Sequence, residues 1–221
     1  MKVENNFVSI VVIGNFNPAI ATTEFVANVC DVTPEKIQQK SPEQIQVIRQ
    51  LEFENFRLEI TLERFVLVEK NIEDIYRAKV ADFFGNYFKK LSYTPLKAAG
   101  FNINCDFSFD DRGAWEKARK KVERVDLYLE FFSANEVDVL EIYSATKEKK
   151  YPREARFKVE GEDRITRQIN TNYVAAEILK MNYNWEVRRL DKNIENLYLL
   201  LDRYKEFCEE FFKFIENMRS G

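Results

Sequence analysis

From Val187 to Met218 the chain sets an apolar residue at each step of an alternating three-and-four count: Val187, Leu190, Ile194, Leu197, Leu201, Tyr204, Cys208, Phe211, Ile215 and Met218. Such a run of heptad a and d positions forms a seam that has to be buried against something. Neither Gly nor Pro interrupts the chain between Tyr173 and Gly221, so the spacing predicts one long helix over residues 184–221. Leu200, Phe207 and Phe214 add g positions, and Tyr198 and Phe212 add e positions. The stripe is therefore broader than the seam of a two-stranded coil, which carries charge at e and g. A helix of about 32 residues is roughly 48 Å long, whereas a sheet of five or six strands is only about 25 to 30 Å across. The expectation is a division of labour. Val187 to Tyr204 closes the chain's own core; the second half either packs within the same domain or, on the sharper reading, uses Phe207, Phe211, Phe214, Ile215 and Met218 to bind another protein or a second copy of the chain.

Upstream, the hydrophobic period is mostly two. Phe7 to Ile13 is a β-branched run closed by Gly14-Asn15 and reads as a buried strand. Phe56, Leu58, Ile60 and Leu62 alternate with Arg57, Glu59, Thr61 and Glu63, and Phe65 to Val68 makes a further strand. Phe101, Ile103, Cys105, Phe107 and Phe109 alternate with Asn102, Asn104, Asp106 and Ser108. Further strands are expected at Val125–Phe131, Val137–Tyr143, Ala155–Glu160 and Arg164–Asn170. Helical signals are fewer. Thr22 or Thr23 starts a short helix, Asn71 with Asp74 opens a helix that runs to Leu91, and Asp110 or Asp111 caps one ending near Lys121. This order predicts an α+β fold: a mainly antiparallel sheet of about six to eight strands, helices on one face and a long C-terminal helix. The domain organisation expected is a sheet domain over residues 1–183, with the helix of residues 184–221 packed on it as one domain. Both halves share a strands-then-helix rhythm, although no residue repeat is visible.

Composition removes many chemistries. The chain has no histidine, which takes away the usual general base of serine and cysteine hydrolases and every imidazole metal ligand. Cys30, Cys105 and Cys208 are odd in number and far apart, which fits three reduced, buried thiols better than a disulfide framework or a zinc site. No phosphate-binding glycine motif occurs. The acidic pairs Asp110-Asp111 and Glu162-Asp163 fall at expected turns and caps, where carboxylates serve the local backbone. The reading is thus non-enzymatic, with no catalytic residue, no metal and no cofactor assigned; the alternative is an enzyme using carboxylates and a divalent metal. The amino terminus lacks the h-region of a signal peptide and no apolar run is long enough to span a membrane, so a cytoplasmic protein is expected.

A net charge of -3 argues against a wholly nucleic-acid-binding surface. One local group stands out: Lys147, Lys149, Lys150, Arg153, Arg156 and Lys158 surround Tyr151 in an expected hairpin. Point charges with a stacking ring can grip phosphates, and a lysine-rich hairpin also keeps an edge strand soluble. The row Asn102, Asn104, Asp106 and Ser108 lines one side of a strand with amide, carboxylate and hydroxyl groups, as either a solvated face or a site.

Two stretches, GNFNPAI at Gly14–Ile20 and LSYTPLKAAGFN at Leu91–Asn102, resemble an uncharacterised group of bacterial cytosolic proteins. Members of that group carry a G-x-F-N-P-A-I segment after the first strand, and a helix followed by T-P-x-x-x-x-G-x-N. The match departs after Ile20, where Ala21-Thr22-Thr23-Glu24 replaces an aromatic segment. The resemblance implies a bacterial cytosolic α+β protein, carries over no activity, and associates the chain with defence or CRISPR-linked genes. The leading expectation is an interaction or accessory module. The alternatives are a domain that binds a hydrophobic small molecule within its aromatic core and nucleic-acid binding through the 147–158 hairpin.

Overall fold

The structure, a computed structural model, describes residues 2–42, 46–122, 138–145, 154–160, 165–174, 178–188 and 195–219. It is α+β, with antiparallel strand pairing. The strands are β1 (Lys2–Gly14), β2 (Gln38–Gln39), β3 (Ile48–Phe53), β4 (Phe56–Thr61), β5 (Arg64–Lys70), β6 (Leu96–Ser108), β7 (Asp138–Ala145), β8 (Glu154–Glu160), β9 (Ile165–Val174) and β10 (Ile178–Arg188). The helices are α1 (Thr23–Cys30), α2 (Val80–Lys90), α3 (Arg112–Val122), α4 (Glu195–Asp202) and α5 (Tyr204–Arg219). Two compact units share them: an N-unit of Phe7–Phe101 and Val187–Tyr204, and a C-unit of Met1–Asn6, Asn102–Glu186 and Lys205–Gly221.

In the N-unit the strand order is β2-β3-β4-β5-β1-β6. Val8, Ile10 and Val12 share a face with Leu67 and Phe65 through the β1–β5 register, and all five are buried. Helix α2 covers that face with Phe83, Phe84, Tyr87 and Phe88. The Phe65 ring lies 5.6 Å from Phe84 and 5.3 Å from Phe88, and Phe83 meets Phe53 and Phe56. Edge-to-face and offset contacts of this kind add to the ~1.5–3 kcal/mol that each buried ring contributes. Helix α1 starts where Thr22 Oγ1 accepts from Phe25 N, as its sequence signal predicts. Helix α4 approaches α2 at Gly85, where Leu201 Cδ1 lies 3.7 Å from the place of a Cβ.

Helix α2 begins later than its capping signal suggests. Asn71 adopts a left-handed φ of 55°, Asp74 caps only a short turn over Ile75–Arg77, and the helix starts at Val80. Its first N–H groups are held from outside the helix, by the Glu69 carboxylate of β5.

In the C-unit the strand order is β6-β10-β9-β8-β7. Helix α5 lays its aromatic stripe on β10: Trp185 stacks on Phe207 with centroids 4.7 Å apart, and Tyr183 lies 5.8 Å from Phe211. Lys121 Nζ of α3 donates to the Met218 carbonyl at 3.1 Å, placing a cation at the C-terminal end of α5. Taken separately, the two units repeat one topology. A strand, a helix, four strands and closing helix follow in sequence, and β2-β3-β4-β5-β1 in one unit corresponds to β7-β8-β9-β10-β6 in the other. The shared rhythm of the sequence is therefore a topological repeat.

Three expectations are corrected. Among the described residues the strands number ten against the six to eight expected, because Gln38–Gln39 adds a short strand, Ile48–Thr61 is a hairpin and residues 178–188 form β10. The single long helix does not form. Val187 belongs to β10, Leu190 and Ile194 lie outside the described residues, and the remainder is split at Arg203 into α4 and α5. The boundary expected at 183/184 accordingly falls inside a strand. The physical reason lies in residues 179–187, where Leu, Met, Tyr, Trp and Val alternate with Lys, Asn, Asn and Glu: a period of two, rich in strand formers, outweighs the absence of Gly and Pro. The strand expected at Val125–Phe131 lies outside the described residues.

Candidate binding face

Strands β6 and β10 of the C-unit carry opposite chemistry on their two sides. Ile103, Cys105, Phe107, Leu179, Met181, Tyr183 and Trp185 are buried. Between them Asn102, Asn104, Asp106, Ser108, Asn182, Asn184 and Glu186 are half-buried, and Lys180 is exposed. The carboxamides are joined across the two strands. Asn184 Nδ2 donates to Asn102 Oδ1 at 3.0 Å, and Asn182 Nδ2 donates to Asn102 Oδ1 at 3.3 Å and to Asn104 Oδ1 at 3.0 Å. Every bond of this ladder takes a donor from β10 and an acceptor from β6.

The charges beside the ladder are compensated. Lys180 Nζ lies 3.6 Å from Asp106 Oδ2. The Ser108 hydroxyl donates to Glu4 Oε1 at 2.6 Å, and Lys2 lies 3.6 Å from the same oxygen. The hydroxyl bond, followed by the Lys2 charge, holds the Glu4 carboxyl below its ordinary range. Beyond β10, Ile169 of β9 is buried and Gln168 is half-buried. The β8–β9 register sets Lys158 opposite Gln168, Arg156 opposite Asn170 and Glu154 opposite Asn172. On β6 and β10 the face is thus rich in amides. The β6 half of it was legible as alternation; the β10 half was missed, although Asn182 and Asn184 in MNYNWEV carry the same period.

The other expected site residues fall elsewhere. Phe207, Phe211, Phe214, Ile215 and Met218 are 0–3% exposed, spent on the C-unit's own core rather than offered as a surface. The stripe is broad where α5 faces Tyr183 and Trp185 of β10. Lys147, Lys149, Lys150 and Arg153 lie outside the described residues, and Arg156 and Lys158 fall on β8. Asp111 Oδ1 accepts from Ala114 N at 2.7 Å, so this acidic residue serves as a cap; Glu162-Asp163 lies outside the described residues.

Burial raises the Cys105 thiol to about 12, aided by Asp106 and Cys208, and burial followed by Glu54 raises Cys30. Both are therefore held as poor nucleophiles. Among the described residues no group of three His, Cys, Asp or Glu side chains is placed to hold a metal ion, and no helix is long and apolar enough to cross a membrane.

A second surface lies at one end of the N-unit. Gly14 N donates to the Glu63 carbonyl, Asn15 N to Pro95 and Phe16 N to Leu62, which ties the end of β1 to the β4–β5 turn and to the start of β6. Around this knot Ile13, Ile20 and Leu62 are 39–49% exposed and Tyr93 is 98% exposed. The two stretches on which the bacterial resemblance rests thus meet in space. No family model matches the chain, and no curated protein matches it.

Proposed function

We propose that the protein is a non-enzymatic interaction module that docks a partner on the β6–β10 amide face of its C-unit. The observation that supports this reading most is the placing of Asn102, Asn104, Asn182 and Asn184 in mid-strand. Asparagine is depleted in strands, where propensities span about 1 kcal/mol, and an ordinary solvated face is served better by Thr or Lys. Residues that break a local preference without a packing gain gather at working surfaces. A face built of amides, the pairing of Lys180 with Asp106 and of Lys2 with Glu4 beside it, and the Cys30 and Cys105 thiols held protonated by burial favour binding over chemistry. Membership of a bacterial defence or accessory system stays part of the proposal, resting on the two resembling stretches alone.

The test is recovery of a partner from the native host by the full chain, compared with two variants. Loss on Asn102→Asp/Asn104→Asp, with retention on Leu62→Ser/Tyr93→Ser, is expected. The opposite pattern moves the docking surface to the apolar end of the N-unit and overturns the reading. The basic group at 147–158 predicts a third pattern, recovery of nucleic acid that falls steeply with salt.

A further inference from the structure

We propose that one end of the N-unit, where the close of β1, the β4–β5 turn and the start of β6 are knotted together, seats on the surface of an anionic lipid bilayer. Of the seven large apolar residues exposed among the described residues, five stand at this end: Ile13, Ile20, Val47, Leu62 and Tyr93. The strand registers gather them. Ile13 pairs with Arg64 at the last rung of β1–β5, and Ile48 pairs with Thr61 at the last rung of β3–β4, so that Val47 and Leu62 stand just beyond it. Tyr93 comes from the turn whose Pro95 carbonyl accepts from Asn15 N, and Ile20 closes the short helical turn that follows Phe16. Cations ring the same end. Arg64 opens β5, Lys89 and Lys90 close α2 just before the Tyr93 turn, and Lys97 is the second residue of β6. All four are exposed, and none is in an ion pair among the described residues. The exposed acids on the neighbouring described stretches are Glu24 and Glu63, which leaves the cations in excess.

Apolar tips inside a ring of free cations suit a bilayer on both counts. Acyl chains take the tips without a matching pocket, a phenol ring settles at the head-group level, and lysines reach lipid phosphates along their own stems. Other occupants fit one half of the surface only. Nucleic acid supplies phosphates but nothing for Ile13, Val47 and Leu62, and a second copy of the chain, placed by a two-fold axis, sets the cations against themselves. Tyr93, at 98% exposure, stands off the surface instead of lining a recess for a partner's side chain.

The test is sedimentation of the full chain with sucrose-loaded vesicles, made of phosphatidylcholine alone or with one third phosphatidylserine. Binding to the second kind only, weakening as salt is raised, is expected. Lys89→Gln/Lys90→Gln is expected to weaken it about 25-fold, roughly fivefold for each charge. Leu62→Ser/Tyr93→Ser is expected to weaken it about tenfold or more through lost apolar burial. All four side chains meet water, so an unchanged urea midpoint shows that each variant is folded. Vesicle binding that survives both double variants, or no vesicle binding at all, overturns the proposal. Loss with the lysine variant alone removes the apolar seat and overturns it too. Lysine-dependent binding of an oligonucleotide or of polyglutamate, in place of vesicles, moves the surface to nucleic acid or an acidic protein and overturns it equally.

Discussion

The backbone N–H of Asn15 donates to the carbonyl of Pro95 at 2.9 Å, and the same oxygen lies 2.6 Å from the place a Cβ would occupy on Gly14. The close approach of the two chain segments is possible because residue 14 has no side chain. Gly14→Ala is expected to lose about 1–3 kcal/mol by overpacking, read as a lower urea midpoint with an unchanged slope. An unchanged midpoint would show that the Phe16 ring and the Pro95 turn yield freely.

Glu69 is 8% exposed and accepts from Lys79 N at 2.7 Å and Val80 N at 2.9 Å. Burial raises its carboxyl above the ordinary 4.5, outweighing these two bonds. A raised acid favours the fold while it is protonated in both states, and that advantage is lost as pH rises from 4.5 through the higher folded value. Glu69→Gln still offers one acceptor and is expected to gain on the wild type over that window, measured as the difference in melting temperature against pH. Glu69→Ala, which leaves both N–H groups unmet, is expected to cost about 1–3 kcal/mol.

Trp185 and Phe207 stack inside the C-unit. Phe207→Ala and Phe211→Ala are expected to destabilise by about 3–5 kcal/mol, with no change in assembly state of the protein that stays folded. Light scattering beside chemical unfolding separates the two effects. A shift in assembly at unaltered stability would return these rings to the role of an interface.

The Tyr204 hydroxyl donates to the Ile75 carbonyl at 2.7 Å in a buried setting. Tyr204→Phe removes the donor and keeps the ring on Phe101, 5.5 Å away. A loss of about 1 kcal/mol is expected, seen as faster amide exchange around Ile75–Val80. Equal exchange in both proteins would assign the hydroxyl no part in seating α2.

How far the sequence could be read depended on whether one period had a rival. Asn102–Ser108 alternates without ambiguity, and β6 forms there; Thr22 and Asp111 cap the helices that their side chains announce. At Val187 two periods overlapped, and the heptad count began inside a strand whose own alternation ran back to Leu179. The start of α2 was misplaced because its cap comes from Glu69, a residue ten positions away from Lys79, which no local signature encodes. The amide ladder was half visible for a similar reason: Asn102 and Asn182, neighbours in the fold, stand 80 positions apart in the sequence.

The two units are stitched rather than strung. Met1–Asn6 is counted with the C-unit, where Glu4 meets Ser108, while Val187–Tyr204 returns to the N-unit and seats Leu201 near Gly85 and Tyr204 on Ile75. Neither repeat can be released whole by a single cut. A nick or an extension at Met1–Asn6 is felt in the unit built mostly from the later half of the chain.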